Sequence, residues 1–473
     1  MTDGNSAHQA RTSRRAVIIG GSLAGMLAAA ALRGLVDETW IIEPDELPTG
    51  PTPRKGLPQA SHVHLMWSGG VRAVEALLPG ITDSWLQAGA RRIPIPTGMV
   101  GLSSQGWFRR WGRETHFLIA CSRDLLDSVV RDQVLALPGV KTVCARAEGL
   151  TGSAGRVTGV SIRHADTSMQ TLEADFVIDA SGRGSRSPHY LQELGTGPVT
   201  ERTVDSGLVY ATRTFQAPEG ADSFPVVNVQ ADPRAPVPGQ SAALLPIEDG
   251  RWLVTAAGTR GGEPTAQAED FEAFTGGLRH PIIGELISHL TPLTDVTISR
   301  STRNQRRYYE KVRQWPERFV VLGDAVAAFN PVYGHGMSVA AQGALELREL
   351  AMNAGLDSPR AARQIQRKVA KRVDVAWSMA TGQDIFYPGV TGGAPNATDR
   401  LLAKYVDRLL KTTTGSFAAT QRFTDVSSLQ APLTTLVGPR LLLAAVAGPH
   451  LPTLNSPPLS HAERALVEAQ ADG

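Results

Sequence analysis

The sequence predicts an α/β protein in which a parallel-sheet, nucleotide-binding domain is interleaved with an antiparallel-sheet domain and followed by a helical region. Three observations predict it. A strand–turn–helix–strand unit with a Gly-rich turn opens the chain, residues 205–260 are strand-rich, and an apolar strand of the opening type returns at Phe319–Leu322. The 473 residues leave room for two to four domains at roughly 100–200 residues each. With 42% hydrophobic and 19% charged residues the chain can bury a large core and is not disordered. A net charge of +2 gives no reason to expect nucleic acid or an anionic membrane as partner. Two cysteines, Cys121 and Cys144, make neither a disulfide framework nor a zinc pattern, which points to a cytoplasmic compartment.

Residues 1–14 are polar, lack an apolar signal region and read as a flexible arm. Ala16–Ile19 is a short apolar run suited to a strand covered on both faces, Gly20–Gly25 a turn, Met26–Leu35 a helix, and Thr39–Ile42 a second strand ending at Glu43. This explains Ala16–Leu32 better than a membrane span, for which it is short and Gly/Ala-rich. Leu65–Leu78 carries helical periodicity up to Pro79-Gly80. A further helix starts after the N-cap Ser122 and puts Leu125, Leu126, Val129, Val130 and Val134 on one face. Residues 156–180 read as two antiparallel strands, the second being TLEADFVIDASG. Glu248-Asp249-Gly250 reads as a hairpin turn. A helix is expected from about Ser338 to Leu350, and 357–473 reads as helical with Pro/Gly joints.

The chemistry sits at the ends of the apolar strands. Gly20-Gly21-Ser22-Leu23-Ala24-Gly25 is a dinucleotide fingerprint with Ser22 at the second glycine, and it makes the opening unit Rossmann-like. Small residues let a pyrophosphate approach the helix N-terminus, where free N–H groups and the dipole favour an anion. Glu43 stands 18 residues after Gly25, placed for an adenosine ribose. Three later words separate FAD from NAD: Asp179-Ala180-Ser181-Gly182-Arg183, Gly323-Asp324, and Asn330-Pro331-Val332-Tyr333-Gly334-His335-Gly336-Met337 opening a helix. Asp324 suits the hydroxyls of a ribityl chain. Gly334 and Gly336 admit a flat ring edge to main-chain N–H groups, and the helix after Met337 favours an anionic reduced flavin by about 0.3–2 kcal/mol. Arg123 opens its helix as a fork suited to phosphate or adenosine oxygens.

Together these words resemble the flavoprotein monooxygenases built like para-hydroxybenzoate hydroxylase, and more narrowly the polyether-ionophore epoxidases. RKGLPQASHVHLMWSGG, CSRDLLD, DASGRGS, VDSGLVYATR, LPIEDGRWLVT and VVLGDAVAAFNPVYGHGMS carry the resemblance, which spans about residues 15–390. It implies FAD held by Gly20, Gly21, Ser22, Ala24, Gly25, Glu43, Arg54, Lys55, Arg123, Asp179, Gly182, Gly323, Asp324, Pro331, Gly334, Gly336 and Met337. It implies a flavin-facing wall of Pro331, Val332, Tyr333, Gly334 and His335, with no acid or base assigned. His335 reads as a loop histidine satisfied by backbone, with a proton donor as the alternative.

The expected reaction is epoxidation of one or more alkenes of a linear polyketide by a flavin C4a-hydroperoxide, the activity of polyether antibiotic biosynthesis. O2 is the co-substrate, and electrons come from NAD(P)H directly or through a flavin reductase. The alternatives are a [4+2] cyclase with non-redox flavin and an aromatic hydroxylase. The expected partner is a large apolar polyketide, with no nucleic acid and no membrane span. Trp67, Trp107, Phe108 and Trp111 are candidate substrate lining. His62 and His64 form an HxH pair that on a strand would share a face, but no third metal ligand is evident. The expected boundaries are 15–78, 118–200 and 300–356 for the Rossmann-like FAD-binding domain, 79–117 and 201–299 for the antiparallel-sheet substrate domain, and 357–473 for the helical region.

Overall fold

The computed structural model describes residues 13–471, so residues 1–12 of the expected arm lie outside the described residues. Arg14 is already pinned. Its N–H donates to Asp37 at 2.7 Å and its carbonyl accepts from the Asp37 and Glu38 amides.

The continuous apolar runs assemble one five-stranded parallel sheet. Its order is Phe319–Val321, Phe176–Asp179, Arg15–Ile19, Glu38–Glu43, Val140–Cys144. Val17, Ile18, Ile41, Val177, Ile178 and Val320 are buried in it, as strands covered on both faces require. The Leu23–Leu32 helix packs against the Gly336–Ala354 helix, which in turn packs on the Ala361–Asp384 helix. Ser122 caps the Arg123–Leu135 helix, its Oγ accepting from the Leu125 amide at 3.2 Å.

One expected strand divides. Met169–Glu173 pairs antiparallel with Arg156–Arg163, whereas Phe176–Asp179 joins the parallel sheet beside Arg15–Ile19. The reason is local: Leu172 alternates with exposed polar neighbours, while Phe176, Val177 and Ile178 are buried in succession. The first pattern fits a half-solvated ladder and the second a doubly covered strand.

The second layer is a seven-stranded sheet ordered Thr297–Ser299, Val209–Gln216, Arg251–Gly258, Gln240–Ile247, Val226–Val229, Met99–Ser103, Gly106–Trp107. Its central hairpin turns through the three residues Glu248–Gly250, with Asp249 and Gly250 both at φ near +60°. One face of this sheet buries a core that includes Phe215, Trp252, Phe271 and Ile283. A small sheet of Glu201–Val204, Asn304–Arg307 and Ala327–Ala328 lies between the layers in sequence and fixes Asn304. The chain ends in helices Ala397–Thr413, Phe417–Ser427, Pro439–Ala447 and His461–Ala471. Among the described residues no helix is long and apolar enough to cross a membrane.

Candidate functional site

The loops at the C-terminal ends of the parallel strands converge on one cavity of about 650 Å3. At one end Glu43 and Arg54 are both buried and paired at 3.0 Å. Glu43 also accepts the Gly21 amide at 2.8 Å, and Arg54 donates to the Gly21 carbonyl at 3.1 Å. Strand end and fingerprint turn are thus locked before any ligand arrives. Arg54 keeps a buried Nε without a partner.

The middle of the cavity is made by Gly20, Ser22 and Ala24, by Arg123, by Ser181–Gly184 and by Asp324. Arg123 gives only its Nε to Asp127, at 2.8 Å, so its terminal nitrogens remain for the cavity. Asp324 has no hydrogen-bond partner among the described residues; burial pushes its carboxyl above the usual range, against the pull of Arg183 and Arg123. Gly323 adopts φ +60° and a Cβ there would stand 2.7 Å from that of Ala24. Two words three hundred residues apart therefore pack directly on each other.

The far end is the Asn330–Met337 segment. Asn330 caps its short turn by accepting the Val332 amide, and Gly334 turns left-handed at φ +65°. The Gly336–Ala354 helix then begins, and the first-turn N–H groups of Gly336 and Met337 have no acceptor within the helix. His335 donates through Nε2 to the Ser427 carbonyl at 3.0 Å, so its Nδ1 carries the lone pair, and burial lowers its pKa to about 4. It is therefore neutral at pH 7 and held by backbone, not poised as a proton donor.

A second, smaller cavity of about 50 Å3 adjoins the first across Val63, Leu65, Tyr210, Pro331 and Gly334. Its remaining wall is Asn228, Ala242, Ala243, Thr255, Ala257 and Val332. Alanines and a threonine on the middle strands of the seven-stranded sheet create this space.

The structure brings Gly20, Ser22, Ala24, Glu43, Arg54, Arg123, Gly182, Asp324, Pro331, Gly334, His335, Gly336 and Met337 onto the larger cavity. Gly21, Gly25, Asp179 and Gly323 stand behind the lining: Asp179 accepts from Ser181, Ser185 and Ser187 and so shapes the Ser181–Gly184 turn. Lys55 is exposed and outside the lining. Tyr333 turns away and donates to Asp384 at 2.6 Å. Of the aromatic candidates, Trp67 lies beside Gly334, its Nε1 3.4 Å from where a Cβ would be. Trp107 packs in the core behind the sheet against His280. Phe108 stacks with Phe423, and Trp111 bonds Thr420. None of the four lines either cavity: the Phe417–Ser427 helix covers Phe108 and Trp111, and Trp107 bridges to Leu454 on the segment before the last helix. His62 and His64 lie on irregular backbone, not a strand: His62 Nδ1 meets Thr212 at 2.6 Å and His64 Nδ1 meets the His62 carbonyl at 2.8 Å.

Sequence reasoning missed Arg183, Tyr210, Asn228 and Asp384. Arg183 lies inside the DASGRGS word and was legible there. Nothing local marks Asn228 or Asp384, whose roles exist only after the sheets and helices pack.

The family described as FAD binding domain matches residues 114–382, more than half of the chain. The chain belongs to this FAD-binding family. Among curated relatives of this flavoprotein is Protein Rv3254 of Mycobacterium tuberculosis, 29% identical over 388 residues, covering 80% of this chain and 81% of that one. Kynurenine 3-monooxygenase of Salinispora arenicola is 28% identical over 416 residues, covering 83% and 85%. Among solved structures, the flavin-dependent brominase Bmp2 superposes with TM-score 0.64 at 13% identity, covering 91% of this chain and 97% of that one. The Diels-Alderase PyrE3 of pyrroindomycin biosynthesis gives TM-score 0.58 at 14% identity, covering 89% and 81%. The cofactor of this flavoprotein is accordingly FAD.

The residues fit FAD. The cavity supplies an unpartnered carboxylate for hydroxyls at Asp324, free guanidinium nitrogens for phosphate at Arg123, and open N–H groups at Gly336 and Met337. Asp324→Ala is expected to weaken FAD binding about 10–100-fold, the worth of one charge-assisted hydrogen bond. Fluorescence titration of the apoprotein with FAD checks this, and wild-type affinity in the variant would remove Asp324 from the site.

Proposed function

We propose that this flavoprotein epoxidises alkenes of a linear, largely apolar polyketide, as the polyether-ionophore epoxidases that its sequence resembles do. The observation that carries the reading is the smaller cavity: it lies directly against Pro331 and Gly334 and is walled by Val63, Leu65, Ala242, Ala243 and Ala257, with no Lys, Arg, Asp or Glu among its lining. An amino-acid substrate such as the kynurenine of the relatives' name would bring an ammonium and a carboxylate into this space without counter-charges, a cost of several kcal/mol per ion in order of magnitude. An unfunctionalised alkene segment brings none.

FAD, when bound, supplies the activation of O2 with electrons from NAD(P)H. Glu43 and Arg54 hold the adenosine end, the Gly20–Gly25 turn and Arg123 the phosphates, Asp324 the ribityl hydroxyls, and Gly336 and Met337 donate to the ring edge. The Pro331–Gly334 turn sets the floor on which the alkene rests, and the Ala-rich strands roof it and exclude water. His62 is held neutral because burial lowers its pKa to about 4, so no ionised histidine stands beside the apolar segment.

The test is incubation of the holoenzyme with NAD(P)H, a flavin reductase, labelled O2 and linear polyenes. A product heavier by one labelled oxygen for each alkene attacked is expected. A product of unchanged mass, formed without consumption of NAD(P)H, would overturn epoxidation in favour of a cyclase.

A further inference from the structure

The walls of the two cavities carry polar atoms that the protein itself does not use. Tyr210, on the Val209–Gln216 strand, lines both cavities and is only 4% exposed, yet its hydroxyl has no hydrogen-bond partner among the described residues. Asn228, on the Val226–Val229 strand, lines the smaller cavity with its carboxamide likewise unpartnered. His62 lines the larger cavity 5.7 Å from the Tyr210 ring, and its Nε2 is buried without a partner. Asn228 is half-buried, so its carboxamide and the Tyr210 hydroxyl face cavity space, whereas His62 Nε2 is buried and unpaired at a cost in free energy until a ligand supplies the bond. Everything else around the smaller cavity is aliphatic apart from Thr255, whose Oγ1 already meets Val63 N and Thr212 Oγ1.

We propose that Tyr210 and Asn228 form an oxygen-recognition subsite that anchors a neutral carbonyl or hydroxyl group of the substrate a short distance from the reacting alkene. Tyr210 donates its O–H, and Asn228 offers both N–H and carbonyl, so the pair suits a ketone or an alcohol equally. Such oxygens recur along a polyketide chain. The subsite selects for register: with the oxygen anchored, one alkene lies over the Pro331–Gly334 turn and its neighbours do not. The space is narrow. It measures about 50 Å3 and opens onto the larger cavity across Pro331 and Gly334. The role in register rests on the epoxidation reading; recognition of the oxygen does not.

The test measures binding to the oxidised holoenzyme without NAD(P)H, through perturbation of the flavin absorbance. The probes are a linear decene, the matching decenone and the matching decenoate. The decenone is expected to bind about 5–10-fold tighter than the decene, the gain of one or two neutral hydrogen bonds, and the decenoate weaker than the decenone. Tyr210→Phe and Asn228→Ala are each expected to erase most of the decenone preference while leaving decene affinity and FAD content at wild-type values, which a structural role would not do. Equal binding of decene and decenone, tightest binding of the decenoate, no binding of the decenone, or a preference that survives both substitutions would overturn the proposal. A decenone preference in an enzyme that transfers no oxygen would uphold the subsite and sink epoxidation alone.

Discussion

Gly25→Ala is expected to give a colourless protein. A Cβ at position 25 would stand 1.8 Å from the Gly20 carbonyl oxygen and 3.5 Å from Ile18 Cγ2. The first neighbour is main chain at the end of a buried strand, so no rotamer change relieves the clash. The Leu23–Leu32 helix must retreat instead, and almost every residue of that helix is buried between the parallel sheet and the Gly336–Ala354 helix. Overpacking of this kind costs about 1–3 kcal/mol. The larger consequence is for the cofactor: the free N–H groups of the helix N-terminus move off the phosphates, and Gly323 loses its seat on Ala24. FAD affinity is expected to fall at least about 100-fold, in line with the loss of several charge-assisted bonds. Absorbance at the flavin band of purified protein and titration with added FAD measure it. Gly112→Ala is the control, because a Cβ there meets nothing within 4 Å and its backbone is unconstrained. A yellow Gly25→Ala protein would show that the fingerprint turn does not carry the phosphates.

The contrast between Gly25 and Asn228 explains what could be read before the fold was known. Turn residues announce themselves, because the conformations and close approaches they permit are properties of a few consecutive positions. The fingerprint turn, the Gly323-Asp324 word and the Asn330–Met337 segment are such local devices, and the structure gathers them on one cavity. The parallel strands were legible for a similar reason, since burial on both faces leaves an unbroken apolar run. The strand at Phe176–Asp179 blurred only because Ala174 and Asp175 join it to an antiparallel neighbour without a Gly or Pro between them. The aromatic candidates show the limit. Trp107 and Trp111 have the composition of a substrate wall, but which side of a sheet they face, and that C-terminal segments cover them, is decided by residues three hundred positions away. Tyr210 and Asn228 do line the space, and their role depends on which strands become neighbours.

Asp384 is the strongest instance of a role created by packing, and Asp384→Ala is expected to uncouple the enzyme. It ends the Ala361–Asp384 helix, where the dipole disfavours a carboxylate, and it is 1% exposed. Burial raises its pKa above the ordinary value. The native state therefore holds the proton more tightly than the unfolded chain, and stability falls as pH rises from the unfolded pKa through the folded one. A group so placed is retained for its contacts. It accepts from Asn304 Nδ2 at 2.7 Å, Asn330 Nδ2 at 2.9 Å and the Tyr333 hydroxyl at 2.6 Å, while the Asn330 amide donates to Asn304 at 2.7 Å. One carboxylate thus ties both ends of the Asn330–Tyr333 turn, whose Pro331 lines both cavities, although Asp384 itself lines neither. Removing it strands three buried donors, an expected loss of about 3 kcal/mol of stability in chemical denaturation. Glu43, Arg123 and Asp324, the residues proposed to hold FAD, are untouched, so the variant is expected to stay yellow. With the floor of the proposed alkene site displaced, product formation should fall about 100-fold, the usual effect of an ångström of misplacement, while NAD(P)H oxidation continues and releases peroxide. Tyr333→Phe removes one donor only and should cost about 1 kcal/mol with a smaller loss of coupling. If Asp384→Ala lost stability but kept the wild-type ratio of product to NAD(P)H consumed, the carboxylate would be a structural group alone, and the position of the turn would not govern where the oxygen goes.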